Sequence, residues 1–159
     1  MYQTDNDYAT ILRFAIRSAL IDAVKIEGSL DEDDIDDIAG QAVDLGSVPI
    51  IVIRADQGAK ADELVQKMES RWDLEAKTFE LAVPVQTKED IQALEDAAKA
   101  FHEAHHDATV IPHPIGKIAK EAMLQGQTFG APLLYTTDGE ETETLPTSTA
   151  IHKLLHPEE

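Results

Sequence analysis

Apolar residues change their spacing along this chain in a regular way. Tyr8, Ile11, Leu12, Ala15, Ala19 and Leu20 recur at three- and four-residue intervals, which predicts a helix over 7–21. AVKIE (23–27) predicts a short strand. Ser29 then precedes an acidic first turn, DEDD, suited to the positive end of a helix running to about Leu45, with Gly46 as its stop. VPIIVIR (48–54) is a continuous β-branched run, the mark of a strand buried on both faces. The pattern continues as a helix over 60–72, a strand at FELAV (79–83), a helix over 88–105 and a strand at TVIP (109–112). A helix over 115–126, a strand at PLLYTT (132–137) and a helix over 147–155 complete it. Five strands alternating with six helices call for parallel pairing through right-handed crossovers. The class is α/β, read as a single domain over 1–159. Periodicity alone does not separate an open sheet from part of a barrel.

In either architecture, functional groups collect just after the carboxyl ends of the strands. That rule selects Glu27 with Gly28 and the stretches 54–57, 84–87, 113–116 and 137–145. Lys25 and Glu27 share strand parity, which directs both to one inner face, and Glu80 on another strand is expected to point there too. Lys25 therefore reads either as an amine nucleophile or, more commonly, as the counter-charge of an inward carboxylate. Asp56-Gln57-Gly58 reads as a polar strand end or, more commonly, as a turn. Gly116 and Lys117 stand at a helix start, where backbone N–H groups can hold a small anion. TFGAP (128–132) also fits the loop before a strand in a thioredoxin-like domain, although no cysteine accompanies it.

Composition narrows these options. Lys and Arg total 13 against 31 Asp and Glu, a formal charge of −18, which argues against nucleic-acid and anionic-membrane partners. The absence of cysteine excludes thiolate catalysis and cysteine-ligated metals. With no apolar stretch of membrane-spanning length and no basic-then-apolar start, the expected location is cytoplasmic. FHEAHH (101–106) contains the H-E-x-x-H of many zinc hydrolases as His102, Glu103 and His106. Here it ends a helix whose apolar stripe is Ile91, Leu94, Ala98 and Phe101, and the two histidines fall on the polar face. His113 comes seven residues after His106 and position 109 is Thr, so the longer ligand pattern is lacking. No metal site is expected.

Four segments, taken in order, resemble the type I 3-dehydroquinate dehydratase family. They are LRFAIRSALIDAVKIE (12–27), VPIIVIRAD (48–56), FELAVPVQTKEDIQAL (79–94) and IGKIAKEAMLQGQTFGAPLLYTT (115–137). The resemblance implies part of an eight-stranded barrel, its C-terminal two-thirds, beginning at the helix before the family's fourth strand. It also implies a shikimate-pathway lyase that dehydrates 3-dehydroquinate through a lysine imine, with a histidine base, an arginine for the substrate carboxylate and no cofactor. At the matching positions this chain has Glu80 for the lysine, Ala55 for the histidine and Met123 for the arginine. Of the family's inward acidic groups only Glu27 remains. The loop after the last strand is shortened to DGEETETLP (138–146), with three glutamates. The expectation is a family member that has lost imine-based dehydration, a pseudoenzyme or remnant. The alternatives are an active lyase completed by a second chain and a small-anion binding or interaction domain. Open strand edges predict a homo-oligomer or a barrel-completing partner.

Overall fold

The β-branched runs and the amphipathic segments between them build a helix-covered parallel sheet. A computed structural model describes residues 23–157; the helix expected over 7–21 lies outside them. The strands are β1 (Ala23–Glu27), β2 (Val48–Arg54), β3 (Thr78–Pro84) and β4 (Thr109–Ile115), hydrogen-bonded in that order. The helices are α1 (Glu32–Asp44), α2 (Ala61–Glu69), α3 (Lys88–Ala104), α4 (Lys117–Leu124) and α5 (Ser148–Leu155). All three strand pairs are parallel, with Ile26 opposite Ile51, Val52 opposite Glu80 and Glu80 opposite Ile111.

This register sends alternate residues to two faces. Val24, Ile26, Ile51, Ile53, Phe79, Leu81 and Val83 join Ile35, Ile38, Leu64, Met68, Leu94 and Phe101 in the core between sheet and helices. Each such large side chain, once buried, contributes roughly 1.5–3 kcal/mol relative to exposure. Trp72 closes the lower edge of this core against Phe101, with ring centroids 5.5 Å apart. The opposite, inner face carries Lys25, Glu27, Arg54, Glu80 and His113.

Helix ends follow local chemistry. Asp31, not Ser29, caps α1, its Oδ1 accepting from the Asp33 N–H at 3.0 Å. Gly46, at φ +78°, ends that helix as Gly46 and Ser47 donate back to the Val43 and Ala42 carbonyls. Thr87 and Asp90 form a reciprocal capping box at the start of α3.

Residues 132–137 do not form the expected fifth strand. They make a single parallel bridge, Thr137 with Thr147, and no ladder. The reason lies in β4. Thr109 donates to the Lys77 carbonyl and Val85 to the Ile115 carbonyl, both at 2.9 Å. That phase commits the backbone of Thr109, Ile111, His113 and Ile115 to β3, and turns residues 110, 112 and 114 to the outer edge. Positions 112 and 114 are prolines and offer no N–H there. A neighbouring strand would lose two ladder bonds, and among the described residues the sheet stops at four strands. No helix among the described residues is long and apolar enough to cross a membrane.

Candidate functional site

The inner face gathers its polar side chains around one buried carboxylate. Glu80 is 2% exposed at the middle of β3. Lys25 Nζ from β1 lies 2.7 Å from its Oε1, and His113 Nδ1 from β4 lies 3.6 Å from its Oε2. Tyr135 covers the group. Its ring centroid is 4.1 Å from that of His113 and 3.8 Å from Lys25 Nζ, a stacking contact and a cation–π contact. Burial alone would push Glu80 upward. The polar groups of His113, Lys25 and Tyr135 around it, together with the Lys25 charge, outweigh it and bring the carboxyl down to about 2. Tyr135 moves the other way: burial, then its hydrogen bond with Glu80 and the carboxylate charge, raise its phenol.

This arrangement suits charge storage better than carbonyl chemistry. Imine formation needs an amine whose lone pair is free to attack a ketone. Glu80 cannot supply one, and Lys25 serves as the counter-charge of a buried carboxylate. The common reading of Lys25 thus agrees with its geometry.

A second ion pair stands one turn of pleat further along the strands. Arg54 Nε and Nη2 donate to the two carboxylate oxygens of Glu27 at 3.0 and 2.8 Å. Arg71, from the turn after α2, donates to the Gly28 carbonyl at 3.1 Å and to Glu32 at 2.9 Å. Glu27, Gly28, Arg54, Lys67 and Arg71 line a cleft of about 280 Å³. Its two guanidinium groups are already engaged by the chain's own acceptors.

The other positions singled out from sequence fall elsewhere. Ala55, directly after β2, is half-buried and rests against the helix-side core. Met123 is 5% exposed within that same core, on the face of α4 turned away from the inner cluster. Gly116 caps α4 at φ +152° because a Cβ there would come within 2.6 Å of the Val85 carbonyl oxygen. Its glycine is required by that close approach, and Lys117 is exposed beside it. Gln57 donates to Asp90 at 3.0 Å, tying the Asp56-Gln57-Gly58 turn to the α3 cap. His102, Glu103 and His106 are exposed at the end of α3. The His102 and His106 ring centroids are 6.1 Å apart, and His102 Nδ1 is hydrogen-bonded to the Ala108 carbonyl at 2.9 Å. Among the described residues no group of His, Asp or Glu is arranged to hold a metal.

Two members of the cluster escape a reading of sequence alone. Tyr135 was hidden in an expected strand, where its partners are undefined. His113 was selected by the strand-end rule, but nothing in its neighbours identifies Glu80 as its contact.

Comparison with known proteins points one way. A family model described as type I 3-dehydroquinase matches residues 1–158. The 3-dehydroquinate dehydratase of Salmonella paratyphi B is 28% identical over 130 residues, covering 80% of this chain and 51% of that protein. The Salmonella enteritidis protein of the same name matches to the same extent. Among solved structures, type I 3-dehydroquinate dehydratase from Clostridium difficile, with covalently modified comenic acid, superposes with a TM-score of 0.83 at 19% identity. It covers 99% of this chain and 63% of its own. The Geobacillus kaustophilus 3-dehydroquinate dehydratase gives 0.82 at 16% identity, covering 99% and 61%. The chain spans about half the length of the curated relatives it matches.

Proposed function

This chain belongs to the type I 3-dehydroquinase family, and from that premise we propose that it is a member without imine-based dehydration of 3-dehydroquinate, a pseudoenzyme. One observation carries the reading: the residue at the position that the resemblance gives to the imine lysine is Glu80, buried and ion-paired with Lys25. Two further features support it. Ala55 has no proton to take or give, and Met123 lies in the helix-side core and offers no charge to a substrate carboxylate.

Borohydride reduction in the presence of 3-dehydroquinate, followed by intact-mass measurement, tests this directly. The expected result is an unchanged mass and no rise in 3-dehydroshikimate absorbance. A reduced adduct mapped to Lys25 would overturn the proposal.

A second reading is an active lyase in which a second chain brings the lysine, histidine and arginine that this one lacks at the matching positions. In that case 3-dehydroshikimate forms only when the two chains are produced together. The same absorbance assay, run on the co-expressed pair, separates the readings.

A further inference from the structure

We propose that Tyr135 is a built-in occupant of the inner cluster, and that Lys25, Glu80 and His113 together form a binding site for a planar, hydroxyl-bearing ring. The proposal rests on the site described above but not on its loss of imine chemistry, because it concerns what the three residues hold rather than what they convert.

Three contacts converge on one side chain. The Tyr135 ring lies flat enough on His113 to stack, at an interplanar angle of 31°. Lys25 Nζ stands over its face and is itself 2.7 Å from Glu80 Oε1, which brings the carboxylate beside the phenol, whose titration it raises. A stacking surface, a cation over the ring face and a carboxylate acceptor for the hydroxyl are the elements of a phenol-recognition site. Here the phenol comes from the chain itself.

The backbone that brings Tyr135 there is held weakly. Ala131 donates to the Thr128 carbonyl and Thr137 to the Pro146 carbonyl, but no backbone hydrogen bond joins residues 132–136 to the rest of the described chain. The prolines of β4 deny this segment a ladder, as described above. Side chains therefore fix it: Leu134 rests against the core and Tyr135 sits in the cluster. Leu133 is 43% exposed and adds little. Such a strap, anchored at its ends and by two side chains, is able to lift while the sheet beneath stays intact. Lifting it uncovers a carboxylate that is otherwise sealed, and a ligand with the same chemistry then competes with Tyr135 for the place.

Phenol itself is the probe. In the full chain, Tyr135→Ala is expected to bind phenol at least tenfold more tightly than the unaltered protein, by calorimetric or NMR titration. Adding Glu80→Gln to that variant is expected to remove most of the gain. A folded Tyr135→Ala chain that binds phenol no better than the unaltered protein overturns the proposal. Should that variant fail to fold, Tyr135→Leu with amine labelling keeps the test open. Lys25 acetylation, measured by peptide mass spectrometry against the exposed Lys117, is expected to rise at least threefold when the ring is lost. An unchanged Lys25 rate in a folded Leu variant would equally overturn it. A borohydride-trapped adduct, by contrast, bears on the functional reading alone and leaves the phenol titration to be judged separately.

Discussion

Among the described charged residues Glu80 is the most buried, at 2% exposed. Its carboxyl is lowered from an ordinary 4.5 to about 2, so the folded state favours the ionised form. The stability this supplies is fully present above about pH 4.5 and is lost as pH falls from there toward 2. A depression of that size is worth at most about 3 kcal/mol. Lys25 is 45% exposed, and solvent screening reduces the figure. In Glu80→Gln, urea unfolding at pH 7 is expected to show a loss of about 1–3 kcal/mol. Its acid limb between pH 4.5 and 2 is expected to be shallower than that of the unaltered protein. Equal acid limbs in the two proteins would place the stabilisation elsewhere. Tyr135 shifts upward, so its contribution holds below its ordinary 10 and is lost as pH rises beyond it. At this scale the sequence was partly legible. Strand parity placed Lys25 and Glu27 on one face, since alternation within a strand needs no knowledge of tertiary contacts. It could not supply the Arg54 to Glu27 fork or the Lys25 to Tyr135 contact, which join residues 27 and 110 positions apart, the second through an irregular segment.

Among the elements, those with a local cause were the easiest to read. The acidic first turn of α1 and its Gly46 stop each depend on residues within a turn of one another. The segment at 132–137 reads as a strand because Tyr and Thr carry high strand propensity, whereas the obstacle is in another element, in Pro112 and Pro114. The start of α4 shows the same dependence on a neighbour. Gly116 looks like an anion-binding start in sequence, yet its backbone is held against the Val85 carbonyl. Gly116→Ala is expected to cost 2 kcal/mol or more, on the order expected for a clash at positive φ, by chemical denaturation. If only helix-start polarity mattered, the loss would stay within a few tenths.

For the molecule as a whole, the parallel α/β class was readable because helical and extended spacings alternate so regularly, and superposition on family barrels agrees with it. The number of strands was not readable, because it is decided by edge chemistry. The tendency of open sheet edges to pair motivates the proposal that the chain associates, with itself or with a second chain. Light scattering at micromolar concentration is expected to give at least the mass of two copies; the mass of one would remove the homo-oligomer. The prolines of β4 also limit what such association can become. Polymerisation through sheet edges needs two joining faces per molecule, one to receive and one to pass on. With Pro112 and Pro114 along one margin, strand addition has no route onward on that side. Whatever joins at the other margin, growth by this route ends with a finite complex and does not continue into a fibre.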